Sequence, residues 1–310
     1  MRVESADEFF ESLLNKVQAL SEALDHEPAS TEIIVAELKH YLAEPSHRIR
    51  LHDLVIRETQ RLIESLQGPE WFTSSHGAEH IITTMVRYES VSQRFLSLTA
   101  TLAFFSDSAE QLRTLSSAVS MLARRERKVA GIAALIDLQQ YTALMTLYVV
   151  GIAELAADEL RAFWTVAALP VSATQGTIPL HIGASTLQSM PDPGVLKSIP
   201  GLEKHYTPAS DHLHSVVREP LRNLIPEDRE YDDLFDQLEY LLGLMYAGFR
   251  GDGMGPVGRF SWKLVSLPDA TALRYEERML EDGLFKSVEQ FSAVKEAFDA
   301  LAARARFGLS

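Results

Sequence analysis

Two histidines four residues apart, His76 and His80 in His76-Gly77-Ala78-Glu79-His80, state their chemistry most simply. On a helix they share a face and could offer two imidazoles to a zinc ion. A catalytic zinc also needs a third protein ligand, and spacing does not choose between Glu79 and Glu89. The order is not the H-E-x-x-H that sets a general base between the ligands. Two structural histidines are the plain alternative. Asp232-Asp233-Leu234-Phe235-Asp236 spells D-D-x-x-D, the magnesium-diphosphate motif of helical isoprenoid synthases. Asp232 and Asp236 would lie on one helix face and could hold Mg²⁺ through carboxylate oxygens. That chemistry requires a second acidic cluster on a facing helix, and the sequence offers none. The segment Glu227–Glu239 carries seven acids and one arginine, which reads more simply as a solvated helix start whose acids complement the dipole.

Anion binding has its own candidates. Arg124-Arg125-Glu126-Arg127-Lys128 joins two helical stretches, and Arg48, Arg50, Arg57 and Arg61 follow one another along another. Guanidinium forks suit phosphate or a partner's acidic surface, although arginines between helices are often only solvated. Gly253 to Gly258 reads G-x-G-x-x-G. A helical pattern precedes it and Pro256 interrupts it, so it reads as a helix cap and chain reversal, not a dinucleotide loop. A phosphorylated ligand near this loop would use Arg259 with Arg124 or Arg125. A last polar set, His205, Asp211, His212, His214, Arg218 and Glu219, lies near irregular sequence and could converge on a pocket. His212 and His214 would diverge by about 200° on a helix. Neither G-x-S-x-G nor the phosphate-loop pattern occurs.

These residues need elements to hold them. Apolar spacing predicts helices over 5–24, 31–43, 49–66, 75–104, 108–125, 128–157, 158–168, 209–219, 228–249, 269–282 and 286–306. Gly68-Pro69 breaks the third, and Ser106-Asp107-Ser108 caps the fifth. Between Pro170 and Pro226 prolines and glycines recur too often for long helices, and one short strand pair is expected near 177–182. The architecture is therefore all-α, a multi-helix, bundle-like fold with an irregular Pro/Gly-rich middle and little β structure. It divides as a helical lobe 1–168, a connecting segment 169–226 and a second lobe 227–310, or forms one continuous domain.

The chain has 310 residues, net charge −14 and no cysteine. The charge disfavours non-specific contact with nucleic acid or anionic membrane. The missing thiols exclude disulfides, thiolate nucleophiles and Cys-type zinc sites. Val129 to Ala157 is the most apolar region, but Asp137, Gln139, Gln140 and Glu154 interrupt it. It reads as a buried core helix, since a bilayer span needs about 20 apolar residues. The acidic start MRVESADEFFESLL shows no secretory signal, and the expected compartment is the cytoplasm.

Three stretches taken together resemble a known family: Gln140 to Ala153, His205 to Leu221, and Leu234 to Ala247 leading to Gly255-Pro256-Val257-Gly258-Arg259-Phe260. Over about residues 45–265 the chain is similar to the helical C-terminal region of multidomain bacterial proteins. Those proteins carry exchangeable N-terminal heads, such as a Schlafen/AlbA-like nucleic-acid domain. The resemblance implies a helical module that senses, scaffolds or restrains an effector in anti-phage or other conflict systems. It supplies no catalytic residue, and nothing like an effector head precedes Ser5. The expectation is a non-enzymatic interaction or regulatory module. Its partner would be a protein, either a separately encoded effector or an invader component, with homo-oligomerisation as an alternative. No cofactor is expected. The rival reading is a metal-dependent hydrolase or nuclease built on His76 and His80 or on Asp232, Asp233 and Asp236; a bound nucleotide is the third.

Overall fold

The computed structural model describes residues 30–67, 77–124, 133–173, 176–184, 192–263, 268–281 and 283–306. Helix α1 (Thr31–Ala43) opens on Ser30, whose hydroxyl accepts the Ile33 N–H at 3.4 Å. It ends at Glu44, which is held extended by the following proline. A 3₁₀ turn at Pro45–His47 leads into α2 (Arg48–Ser65). Next come α3 (Ala78–Phe105) and α4 (Ala109–Arg124). Before α4, Ser108 Oγ accepts the Gln111 N–H at 3.3 Å, and Gln111 Oε1 accepts the Asp107 N–H at 2.9 Å. This reciprocal cap satisfies donors that the first helical turn leaves open.

The expected single core helix over 128–157 is two helices in the described part, α5 (Ala133–Leu138) and α6 (Tyr141–Ala156); residues 128–132 lie outside it. Gln139 N–H bonds to Ile136 O at 3.2 Å and Gln140 N–H to Asp137 O at 3.0 Å. These i→i−3 bonds tighten the chain into a turn. The break keeps Asp137 exposed while every residue of α6 from Tyr141 to Leu155 is buried. A helix apolar all round must be enclosed by others. α3 packs along it most extensively, with α7 (Arg161–Ala167), α10 (Pro208–Leu221) and α11 (Asp228–Arg250) on its other sides.

The helix expected from 158 begins only at Arg161, because Asp158 adopts φ 60 and stops the preceding helix. The strand pair lies slightly upstream of its expected place. β1 (Pro170–Ala173) pairs antiparallel with β2 (Gly176–Pro179), Val171 opposite Ile178. Residues 180–182 continue as the short helix α8 (Leu180–Gly183). After α9 (Pro193–Leu196), α10 and α11, a 3₁₀ turn at Arg259–Lys263 precedes α12 (Pro268–Glu281) and α13 (Val288–Arg306). The fold is all-α, with one two-stranded hairpin among the described residues.

Buried apolar side chains from Ile34 in α1 to Ala302 in α13 form one connected cluster. Where α6 crosses α11, Gly151 lets the helices touch. A Cβ there would stand 2.4 Å from Leu238 Cδ1 and 3.0 Å from Phe163 Cδ2. No helix among the described residues is long and apolar enough to cross a membrane.

Candidate functional site

Helix α10 is the hub of a polar cluster, and its residues diverge to different neighbours. Ahead of the helix, His205 Nδ1 lies 2.8 Å from Asp211 Oδ2, which also accepts the Thr207 hydroxyl at 3.1 Å. His212 reaches α3, its Nε2 2.6 Å from Glu89 Oε1. His214 reaches the opposite neighbour, its Nε2 2.7 Å from Asp232 Oδ1 on α11. Arg218 donates to Asp228 at 2.7 Å and 3.0 Å, and to the Ile225 and Pro226 carbonyls at 2.9 Å and 3.0 Å. It thereby satisfies the acceptors of the turn between α10 and α11. Glu219 is exposed and holds Arg222 at 2.9 Å. The six residues pair off with separate neighbours. They sit on a regular helix and its approach, where near-100° steps send neighbours to different sides.

Two buried carboxylates stand at the centre of the cluster. Glu89 accepts the Tyr141 hydroxyl at 2.9 Å beside its contact with His212. Glu239 of α11 accepts Ser210 at 2.8 Å and Tyr148 at 3.3 Å. Tyr141 and Tyr148 are two helical turns apart on α6, so one face of this helix meets both acids. Burial pushes both phenols well above the usual tyrosine range. Burial also lifts Glu239 to about 7, with the Asp236 charge adding to the rise, against Ser210, Arg259 and Tyr148.

The glycine-rich loop closes this end. Gly251 caps α11 in the left-handed conformation, φ 74, giving its N–H to Ala247 O at 2.8 Å. Gly258 lies against Glu239 so closely that a Cβ would meet the carboxylate at 2.0 Å. Arg259 then gives its N–H to Ser210 Oγ at 2.9 Å. Its guanidinium sits 3.2 Å from Asp236 Oδ1 and 3.5 Å from Asp232 Oδ1. The glycines thus act as a cap and a close-approach point, and the cation between Asp232 and Asp236 is Arg259.

This geometry assigns the remaining expected residues. Asp232 and Asp236 share a face as their spacing requires, and Asp233 lies beside them, half-buried. Among the described residues no three His, Asp or Glu side chains are grouped to hold a metal ion. His80 lies in the first turn of α3, and its carbonyl accepts the Thr84 hydroxyl at 2.8 Å; His76 lies outside the described residues. Arg124 ends α4 and borders an open cleft with Arg113, Ser117 and Leu169; Arg125 lies outside the described residues.

Burial lowers His214 to about 4, the Arg259 charge assisting against Asp232. With its imidazole neutral at pH 7, His214 meets Asp232 through a hydrogen bond and not an ion pair. Ser210 is buried and occupied on both sides, donating to Glu239 and accepting from Arg259. It acts as a clasp between α10, α11 and the loop.

Two further buried groups were not among the site residues expected from the sequence. His181 of α8 sets Nδ1 2.9 Å from the Ala167 carbonyl and is lowered to about 4 by burial. With Tyr148 and Glu239 it lines a cavity with about 10 Å³ for water centres, roughly one water molecule. Glu154 accepts the Ala162 N–H at 2.8 Å, capping α7 from the end of α6, and burial raises it to about 7. An acid inside an apolar run is the available signal for Glu154; an isolated histidine after Pro179 gives almost none for His181. Compared with known protein families, curated proteins and solved structures, the chain matches none.

Proposed function

We propose that this chain is a non-catalytic interaction module that binds a separately encoded protein through the surface around Tyr206 and Trp262. The observation that carries this reading is the exposed aromatic pair. Tyr206 is 74% exposed and Trp262 42%, and their ring centroids stand 5.4 Å apart. Each ring is mounted on a pinned segment. Tyr206 stands between His205 and Thr207, both tied to Asp211. Trp262 follows Arg259, Phe260 and Ser261; Arg259 is anchored to Ser210, Asp232 and Asp236, and Phe260 and Ser261 are buried. Exposed tyrosine and tryptophan on a rigid base are the side chains that dominate protein interfaces, because little freedom remains to be lost on binding.

The polar cluster supports the same reading. His205, His212, His214 and Arg218 each have a carboxylate partner, and these pairs join α10 to α3, to α11 and to its own approach. The residues chosen for chemistry are in use as fasteners. The resemblance to effector-bearing bacterial proteins supports an effector, or a component of an invader, as the partner.

The test is paired purification of tagged wild type and the Tyr206→Ala/Trp262→Ala variant from the native host. The expected result is a stoichiometric protein on the wild type that the variant loses by about 100-fold, as removal of two hot-spot aromatics implies. The variant should keep its far-UV spectrum, because neither ring is buried. Equal recovery of the same proteins on both, or no protein on either, rejects the reading.

A further inference from the structure

Helix α4 buries one face and leaves the other bare. Thr114, Leu115, Ala118, Val119 and Leu122 are enclosed in the core, whereas Arg113, Ser117 and Arg124 are exposed. The exposed positions fall at i, i+4 and i+11, one stripe of a helix, and Ser120 at i+7 completes it. This stripe lines an open cleft of about 760 Å³ together with Ile63 and Gln67 at the end of α2 and Leu169 just before β1. Both α2 and β1 pack on α4, so the cleft follows the helix.

The charged residues of the lining are Arg113 and Arg124, and no acid borders the cleft. Glu110, one turn before Arg113, is turned to Arg48 of α2 at 3.9 Å. Arg94, Arg218 and Arg259 are each engaged by a carboxylate; among the described residues Arg113 and Arg124 are not. In a chain of net charge −14, the cleft is therefore a local positive surface that attracts carboxylates. Its other residues suit close packing. Ser116, Ser117 and Ser120 are short, which lets a neighbouring helix axis approach, and half-buried Ile63, Met121 and Leu169 leave apolar surface to cover. At 1.5 Å per residue, Arg113 and Arg124 start about 16 Å apart along the axis. A phosphate-sized anion would use one of them at a time. A second helix laid along α4 shares its rise and turn, and so sets two carboxylates at the same spacing. Nucleic acid gains little from two cations on so acidic a chain.

We propose that the α4 groove is a docking surface for an acidic amphipathic helix of a partner protein. Two carboxylates three turns apart on that helix meet Arg113 and Arg124, in charge-assisted hydrogen bonds. Small residues between them lie over Ser117 and Ser120, and apolar ones lie against Ile63, Met121 and Leu169, the helix-in-groove mode of recognition. The surface shares no residue with the Tyr206–Trp262 pair and does not depend on it.

The test titrates the full chain into a fluorescein-labelled synthetic helix of about 18 residues, long enough to hold its fold. Its binding face carries Ala and Leu, with Glu at two positions three turns apart; a second peptide has Lys at both. Anisotropy at low salt should show saturable binding of the Glu peptide. Arg113→Glu/Arg124→Glu should weaken it at least about tenfold, since two attractions become two repulsions, and should bind the Lys peptide better than wild type does. Arg229→Glu/Arg304→Glu, an equal change of net charge at two exposed positions elsewhere, should leave the Glu peptide bound as before. Ser117→Trp keeps both arginines, fills the floor at an exposed position and should also lose the peptide. Absence of saturation up to about 1 mM, the weakest binding such a contact would give, overturns the proposal. So does equal affinity of wild type and Arg113→Glu/Arg124→Glu. Tighter binding of a short DNA duplex than of the Glu peptide overturns it as well, in favour of a phosphate-backbone surface.

Discussion

Glu239 is an ionisable group placed where ionisation is costly, enclosed by Tyr148, Ser210, Gly258 and the charge of Asp236. Its folded value of about 7 exceeds the usual 4.5, so between those values the folded chain binds the proton more tightly than the unfolded chain. The resulting stability is full below about pH 4.5 and is lost as pH rises through 7. His181 and His214 act with the opposite sign. Their folded values of about 4 lie below 6.5, so their contribution is present above pH 6.5 and is lost as pH falls through 4. The two trends offset one another between about pH 4.5 and 6.5, and a wild-type profile alone would hide both. Glu239→Gln separates them. Relative to wild type, the variant should gain about 3 kcal/mol between pH 4.5 and pH 8 in urea unfolding, on the scale of 1.36 kcal/mol per pKa unit. A difference that does not change with pH would show that Glu239 is ordinarily ionised in the fold. Gly258→Ala tests the same site sterically. A methyl group 2.0 Å from the Glu239 carboxylate should cost about 3 kcal/mol, in the range of overpacked cores, measured at pH 6.

At the scale of elements, α6 and α11 define the seam on which the cluster is built. Gly151 permits their contact with Leu238 and Phe163, and Gly151→Val would force the helices apart along buried surface. An expected loss of about 2–4 kcal/mol follows from adding side-chain volume to a filled core. A shift in the urea midpoint smaller than that of an exposed control such as Val86→Ala would refute the close crossing. The helices themselves were legible because their signals are local. The Ser108 cap and the glycine-rich cap after α11 were read from spacings of a few residues, and each works as local rules require. The break at Gln139-Gln140 was not legible, because α6 owes its burial to neighbours distant in sequence. The cluster was less legible still. Tyr141 and Glu89 are 52 positions apart, Tyr148 and Glu239 are 91, and His212 and Glu89 are 123. Spacing could say that His212 and His214 diverge, but not that an acid waits on each side. The D-D-x-x-D pattern was read with the right face, and its cation, Arg259, lay beyond the end of the helix.

Across the described residues one connected apolar cluster runs from α1 through α6 to α13, and polar contacts cross the same path. Glu239 ties α11 to α6 through Tyr148 and to α10 through Ser210, while Tyr240 and Lys295 both hold Asp299, joining α11 to α13. Helices that share buried surface and buried hydrogen bonds lose both together, so the amino-terminal and carboxy-terminal helices should open in one step. Native-state hydrogen exchange measures this directly. The slowest amides of α3 and α4 should report the same opening free energy as those of α11 and α13, within about 1 kcal/mol, as expected of a single cooperative unit. Gly258→Ala should lower both sets equally, although the substitution lies against Glu239 of α11. If α11 and α13 instead exchange through an opening several kcal/mol cheaper, the seam at Gly151 and Glu239 is a boundary between two cooperative lobes. The Tyr206–Trp262 surface would then lie on that boundary, since its two rings are carried by the approach to α10 and by the loop after α11. A partner gripping both rings would in that case bridge the lobes and raise the opening free energy of the weaker one, by mass action on the closed state.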